Sequence, residues 1–230
     1  MDETDAQPDL LPTLARVVRG TSMLFWGLPV AMVVSIMSTL SNWTDAAWPM
    51  GMLMPPVAFG VLWVGLWLLG AFQPQERVWQ AALGQAKLMG LFSLGLSPFL
   101  HWHHRAPDEL YFANAVWLLA LVFVFYLMAL NKMLARLAAM LPDETLRVES
   151  QLFSRMNRVL LAMTPIGFGA MYLMSLIDEP PELLFRLVAM AAQFRPWLFM
   201  AFVLIPVSMT MSLLWKTKES ILASVFTPKQ

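Results

Sequence analysis

Long apolar runs separated by short polar stretches are the main feature of this chain. A helix needs about 20 predominantly apolar residues to cross a hydrocarbon core of about 30 Å. Five runs reach this length without an acidic or basic side chain: Thr21–Leu40, Trp48–Phe72, Leu110–Ala129, Val159–Ile177 and Pro196–Leu214. The pattern therefore predicts an all-α fold, a polytopic bundle of transmembrane helices.

A sixth, weaker segment lies between the second and third of these runs. Leu88–Leu100 is apolar throughout, but as a helix it rises only about 20 Å. If the segment is extended back to Ala81, it reaches the required length and places Lys87 near the lipid headgroups. We therefore expect a third span at Ala81–Leu100, with a re-entrant segment as the alternative.

The positions of Lys and Arg distinguish these alternatives, because cytoplasmic loops are enriched in both residues. With six spans in three hairpins and both termini cytoplasmic, twelve of the 15 basic residues lie inside. Only Arg105, Arg186 and Arg195 then lie outside. With a re-entrant third segment, seven lie inside and eight outside. The sequence therefore favours six transmembrane helices, in a membrane that we expect to be the inner (cytoplasmic) membrane of a bacterium.

Three regions follow from this topology. Residues 1–20 form a cytoplasmic N-terminal segment, residues 21–215 the six-span membrane domain, and residues 216–230 a cytoplasmic C-terminal tail. Inside the membrane domain, residues 131–158 are expected to form a cytoplasmic helical hairpin, with its turn at Pro142. Residues 182–195 are expected to form an outer interfacial helix, because Glu182 and Arg186 pair at i,i+4 beside an apolar face.

Composition narrows the classes of function. The chain is 59% hydrophobic and 13% charged, against about 25% charged in typical soluble domains. Its net charge is zero and its basic residues are dispersed, so we expect no nucleic-acid partner. The absence of cysteine excludes disulfides, thiolate metal sites and cysteine nucleophiles. The expected partners are the lipid bilayer and other membrane subunits, with a homo-oligomer as a further alternative.

The polar residues inside the spans are small. They are expected to help helices pack, and so are the glycines at positions 90, 95, 167 and 169. The serines and threonines concerned are Ser35, Ser38, Ser93, Ser97, Thr164, Ser208, Thr210 and Ser212. Because the spans carry no acidic or basic side chain, proton-coupled transport through buried carboxylates is disfavoured. Trp79, near the start of the third span, is expected to anchor at the membrane interface.

Histidines and methionines at the outer side form the one candidate metal site. His101, His103 and His104 end the third span, and Met50, Met52 and Met54 begin the second. Imidazole suits copper(II), zinc or haem iron, and a thioether selects copper(I). Adjacent histidines on a helix point apart, however, and Arg105 would oppose a cation. We therefore predict no bound cofactor and an interfacial, solvated histidine cluster, and we keep copper, zinc or haem as the alternative.

Basic side chains on the inner hairpin form the candidate contact surface. Arg136, Arg147, Arg155 and Arg158 are expected to contact another protein or anionic lipid headgroups. No phosphate-binding glycine loop, zinc-protease helix or activated-serine motif is present, so we do not expect an enzyme. The favoured function is a non-catalytic subunit or scaffold of a larger membrane assembly. The alternatives are a small uncoupled channel or permease, and a metal- or haem-handling membrane protein that uses the outer cluster.

Overall fold

The computed structural model describes residues 10–40, 50–141, 143–175, 186, 190 and 200–226, and every regular element in them is helical. The helices are α1 (Leu10–Leu40), α2 (Met50–Leu68), α3 (Arg77–Leu96), α4 (Pro98–Arg105), α5 (Leu110–Met140), α6 (Glu144–Ser175) and α7 (Ile205–Phe226). A short 3₁₀ turn, Leu69–Ala71, follows α2, and a π-helical turn, Met200–Leu204, precedes α7. The all-α prediction is confirmed for these residues. The expected interfacial helix at 182–195 lies largely outside them.

Three of the described helices are long and apolar enough to cross a membrane. They comprise Pro12–Thr39, Gly51–Ala71 and Leu110–Met140. Each overlaps a run that the sequence predicts as a span. Their outward faces carry large apolar side chains, such as Trp26 (65% exposed), Val57 (62%) and Leu110 (73%). Exposed apolar surface of this kind is what a lipid environment requires.

Glycines bring α1 and α2 into close contact. A Cβ atom at Gly20 would lie 2.8 Å from the Gly65 carbonyl oxygen, and one at Gly27 would lie 2.8 Å from the Leu62 side chain. Around this contact, Leu24, Leu28, Leu62 and Leu66 are buried. Small residues permit such backbone approach between membrane helices, and they increase the dispersion contacts of the neighbouring leucines.

The glycines that the sequence predicts as packing sites differ in whether a neighbouring residue lies close to them. Gly90 meets the expectation, since a Cβ atom there would lie 3.4 Å from both Leu66 and Tyr126. The expectation is wrong for Gly95, where such an atom would meet no described neighbour within 4 Å. Gly167 and Gly169 likewise meet no described neighbour within that distance.

The turn between α2 and α3 is closed by side chains of α3. Gln73 adopts the left-handed conformation, with φ of 45°. The Trp79 indole N–H donates to the Phe72 carbonyl at 2.8 Å, and the Gln80 amide lies 3.4 Å from the same oxygen. Trp79 is fully buried. Its expected role as an interfacial anchor is therefore wrong, because its N–H finds its partner in the turn and its ring packs in the core.

Helices α3 and α4 form one nearly continuous rod beside α5. Pro98 interrupts the rod at Ser97, whose hydroxyl donates to the Leu94 carbonyl at 2.7 Å. At one end of this contact the Lys132 ammonium donates to the Gln85 amide oxygen at 3.0 Å. At the other end the rings of Phe99 and Tyr111 lie 5.8 Å apart. The rod is therefore antiparallel to α5 and accompanies it for most of its length.

Helices α5 and α6 form a tight hairpin. α5 ends at Met140 and α6 begins at Glu144, with Asp143 as the residue that caps α6. The Asp143 carboxylate accepts hydrogen bonds from the Leu146 N–H at 3.1 Å and from the Thr145 hydroxyl at 2.5 Å. These donors hold the pKa of the Asp143 carboxyl below its ordinary value, with the Thr145 hydroxyl making the largest contribution. A capping aspartate explains why α6 begins there.

Candidate functional site

The three histidines of the candidate metal site lie on the short helix α4. His101 is fully buried, because α4 contacts α1, α2 and α5 on several sides. His103 and His104 are half-buried, and the indole ring of Trp102 lies 5.9 Å from the His101 ring. The expectation of a solvated cluster is therefore wrong for His101, which belongs to the packed end of the bundle.

The methionines lie at the same end of the bundle as α4. Lys87 of α3 lies close to Gly70, just after α2, and Gly90 of α3 lies close to Leu66 of α2. Since the later residue of α3 contacts the earlier residue of α2, the two helices are antiparallel. This register places Met52 and Met54 of α2, both half-buried, roughly level with α4. The side chain of Met50 lies outside the described residues. Within the described ranges, no group of three or more His, Asp or Glu side chains is arranged to hold a metal ion.

The arginines of the candidate contact surface are all exposed. Arg136 lies on α5, and Arg147, Arg155 and Arg158 lie on α6. Arg147 is 4.0 Å from the Glu144 carboxylate, an i,i+3 pair whose side chains are 50% and 82% exposed. A pair this exposed contributes little stability. The positive charge of this surface is therefore available to a partner.

A stripe of exposed apolar side chains runs along the same face of α6. Its positions recur at helical spacing, and each side chain is at least 49% exposed. They are Val148, Leu152, Met156, Val159, Met163 and Ile166. At about 100° per residue, Arg147, Arg155 and Arg158 lie along one side of this stripe. We call these apolar residues and the three arginines the α6 face.

Three polar side chains meet in the interior, one each from α5, α6 and α7. The Asn131 amide donates to the Thr210 hydroxyl at 2.8 Å, and the Asn157 amide donates to the same oxygen at 3.0 Å. Thr210 donates its own hydrogen to the Pro206 carbonyl at 2.8 Å. A hydroxyl has one hydrogen and two lone pairs, so Thr210 is saturated. All three side chains are at least 97% buried.

The remaining amide hydrogens of this network bind backbone carbonyls. Asn131 also donates to the Leu127 carbonyl at 2.8 Å, and Asn157 to the Pro206 carbonyl at 3.1 Å. The Asn157 carbonyl oxygen is buried and receives no hydrogen bond from a described residue. Because every amide hydrogen of the network has a partner, the network fastens three helices together.

A proline explains a further contact between α6 and α7. Pro206 has no N–H and cannot donate to the Phe202 carbonyl in the α-helical pattern. The Thr164 hydroxyl of α6 lies 3.3 Å from that carbonyl and 3.2 Å from the Leu160 carbonyl of its own helix, so its one hydrogen is shared between the two. Side chains of neighbouring helices commonly satisfy carbonyls that a proline leaves free in membrane helices. Thr164 therefore performs the packing role that the sequence predicts for it.

An ion pair joins the first turns of α6 to the middle of α7. The Lys216 ammonium binds the Glu149 carboxylate and lies 5.8 Å from the centre of the Phe153 ring. Beside it is an open groove of about 280 Å³, lined by Asp143, Glu219 and Ser220 among others. Because the Glu149 and Lys216 side chains are 46% and 39% exposed, the pair fixes orientation more than it adds stability.

Sequence reasoning missed Asn131 and Asn157, because it placed both in the cytoplasmic hairpin. Asn131 did carry a signal, because it directly follows a long apolar run, where such a residue needs a partner. Asn157 carried none, because it lies between Arg155 and Arg158. Their actual partner, Thr210, is 79 residues from Asn131 and 53 from Asn157, so spacing along the chain could not identify it.

Comparison of the chain with protein-family models, with curated proteins and with solved structures finds no match.

Proposed function

We propose that this chain is a six-span protein of a bacterial inner membrane, with both termini cytoplasmic. In this proposal it acts as a non-catalytic subunit that holds a partner protein against the α6 face. The observation that carries the proposal is the continuation of the exposed apolar stripe of α6 beyond the expected membrane span.

The rod formed by α3 and α4 supports the third crossing. From Arg77 to Arg105 it is about 40 Å long, which exceeds a hydrocarbon core of about 30 Å. It also runs beside α5, one of the three helices that are long and apolar enough to span. A re-entrant segment would turn back part-way along α5. The contacts at Gln85 and Phe99 instead lie near opposite ends of that helix.

The interior network supports a structural role for the inner half of the bundle. Asn131, Asn157 and Thr210 direct their hydrogens at one another or at backbone carbonyls, which locks α5, α6 and α7 in register. A pore lining would need polar groups that face a water-filled path. The saturated hydroxyl of Thr210 therefore favours a rigid scaffold over a channel.

The α6 face supports a docking role. α6 has 32 residues and is about 48 Å long, well beyond the thickness of a hydrocarbon core. The expected span begins at Val159, yet the stripe begins at Val148, about 16 Å earlier along the helix axis. Val148 and Leu152 are 61% and 56% exposed. Apolar side chains that protrude from the lipid at regular helical spacing fit a partner helix.

The flanking arginines indicate the chemistry of the partner. Arg147, Arg155 and Arg158 lie on one side of the stripe, where an acidic row on a neighbouring helix would complement them. We therefore assign the α6 face to an amphipathic helix of a second membrane-associated protein, with an apolar stripe and acidic residues beside it. A second copy of this chain and anionic lipid are the competing occupants.

Photocrosslinking in living cells tests this assignment. A photoreactive amino acid is placed singly at Val148, Leu152 and Met156, and at Val78 as the matched control. Val78 is an exposed apolar residue of α3 that lies at the same end of the bundle. We expect the three stripe positions to capture the same protein, and Val78 not to capture it.

Charge reversal separates the competing occupants. Substitution of Arg147, Arg155 and Arg158 by glutamate should abolish the crosslink from Leu152, whereas reversal of Arg136 on α5 should leave it. Capture of a second copy of this chain would replace the proposal by a homo-oligomer. Crosslinks to lipid alone from all three positions would show that the stripe faces the bilayer and would refute the docking role.

A further inference from the structure

A second charged groove lies where α1, α2 and α3 meet. It has a volume of about 360 Å³ and is lined by Arg16, Trp67, Leu68, Gly70, Ala71 and Lys87. Its polar side chains are two cations from different helices. Among the described residues, neither cation has a carboxylate within ion-pair distance. Within the part of the chain that the structure describes, the groove therefore concentrates positive charge without a counterion.

The geometry around Lys87 depends on Trp67 and Gly70. The Lys87 ammonium lies 5.6 Å from the centre of the Trp67 ring. A Cβ atom at Gly70 would lie 2.8 Å from the same ammonium, so a larger residue would displace it. The indole face and the bare glycine together hold the ammonium at the edge of the groove. The Trp67 side chain is itself 62% exposed and offers an apolar wall beside the charge.

The groove lies at the ends of two candidate membrane spans, where lipid headgroups are expected. Its residues from α2 are at the end of the candidate span Gly51–Ala71, and Arg16 is near the start of the candidate span Pro12–Thr39. A soluble anion site would be expected to carry hydroxyl or amide donors. Here the two cations stand beside an indole ring and leucine, which match a phosphate next to glycerol and acyl chains.

We propose that this groove binds one anionic phospholipid, with the phosphodiester between Arg16 and Lys87 and the glycerol and first acyl carbons against Trp67. The arrangement uses a guanidinium for directed hydrogen bonds to phosphate oxygens and an ammonium as a point charge. This inference is independent of the proposed docking role, because it involves none of the residues of the α6 face.

Native mass spectrometry of the full chain tests the site. Detergent-solubilised protein is titrated with dioleoyl-phosphatidylglycerol and, separately, with dioleoyl-phosphatidylcholine. We expect one retained phosphatidylglycerol and no comparably retained phosphatidylcholine. Arg16→Gln and Lys87→Gln should each weaken the binding of phosphatidylglycerol about fivefold. The Arg16→Lys, Lys87→Arg double variant keeps both charges and should retain most of the binding.

Two matched controls separate a built site from general surface attraction. Lys132→Gln with Arg136→Gln removes two basic residues at the same end of the bundle but outside the groove, and it should leave the retained lipid unchanged. Gly70→Leu should fill the groove and displace the lipid. Gly84→Leu should leave lipid binding unchanged, because no described residue lies within 4 Å of a Cβ atom at that position. Equal losses from both pairs of basic residues would overturn the proposal.

Inorganic phosphate distinguishes the source of the anion. A lipid site should release phosphatidylglycerol only weakly when millimolar phosphate is added, since free phosphate has no acyl chains to lie against Trp67. Trp67→Ala should then lower lipid retention although both cations remain. Tight binding of inorganic phosphate, with retention of phosphatidylglycerol unaffected by Trp67→Ala, would identify a soluble-anion site and refute the lipid assignment.

Discussion

At the residue scale, one hydroxyl group connects three helices. Thr210 accepts two amide hydrogens and donates one of its own, so its removal affects Asn131 and Asn157 simultaneously. A buried donor left without an acceptor costs more than an average hydrogen bond contributes, because it has lost its water as well. The contact among α5, α6 and α7 therefore depends on this one hydroxyl group.

Thr210→Val should destabilise the protein by about 1 to 2 kcal/mol, because valine keeps the shape of threonine but supplies no acceptor. Thr210→Ser keeps the hydroxyl and should cost less. Ser212→Ala, an exposed position on the same helix, should have little effect. Thermal unfolding in detergent measures all three variants. Equal melting temperatures for Thr210→Val and Thr210→Ser would show that the network contributes no stability.

Asp143 gives a pH-dependent contribution at the start of α6. Hydrogen bonds from Thr145 and then Leu146 hold the pKa of its carboxyl below the ordinary value of 3.8. A lowered folded-state pKa means that the ionised form stabilises the fold. The contribution is present above the unfolded pKa and is lost as pH falls through the folded one. It should therefore disappear only in acid.

Asp143→Asn tests this contribution, because asparagine also caps helices but does not titrate. We expect the difference in melting temperature between the native protein and Asp143→Asn to be constant from pH 7 to 5 and to change below about pH 4. Asp143→Ala should lose about 0.5 to 1 kcal/mol at pH 7. The cap would be unsupported if that difference in melting temperature did not vary with pH.

At the element scale, apolar run length predicts where helices lie but not how they contact one another. The helices over Thr21–Leu40 and Leu110–Ala129 are readable from the sequence, since lipid requires such lengths. The partners of Gly20 and Thr210 are not, because 45 or more residues separate them from Gly65 and from the asparagines. The burial of His101 has the same origin, since it depends on three other helices.

Gly20→Ala should separate α1 from α2. The new methyl group would lie 2.8 Å from a backbone oxygen of Gly65, which cannot rotate away as a side chain could. The expected loss of stability is about 1 to 3 kcal/mol. Gly60→Ala is the control on α2, where a Cβ atom meets nothing within 4 Å and alanine favours the helix. Similar melting temperatures for the two variants would contradict the close contact.

At the scale of the whole molecule, charged side chains lie towards the two ends of the bundle, and exposed apolar side chains lie along its sides. Arg16, Lys87, Lys132 and Arg147 all lie near the end where α2, α5 and α7 finish and α6 begins. His101 and Arg105 lie towards the other end, on α4. If the end with Lys132 and Arg147 is cytoplasmic, as the sequence predicts, an excess of basic residues is expected there.

Single cysteines can test this orientation directly, because the chain contains none of its own. We place them at Gln73, Arg105 and Glu144, in or beside three successive turns between described helices. If α3 and α4 cross the membrane, an impermeant thiol reagent should label Arg105→Cys in intact cells. It should label Gln73→Cys and Glu144→Cys only after the membrane is opened.

If the segment were re-entrant, the cysteines at positions 73 and 105 would lie on the same side of the membrane and react alike. The cysteine at position 144 would then lie on the other side. Labelling of each variant after permeabilisation controls for burial of the thiol. If Arg105→Cys is not labelled in either condition, Asp108→Cys, at a neighbouring exposed position, is used in its place.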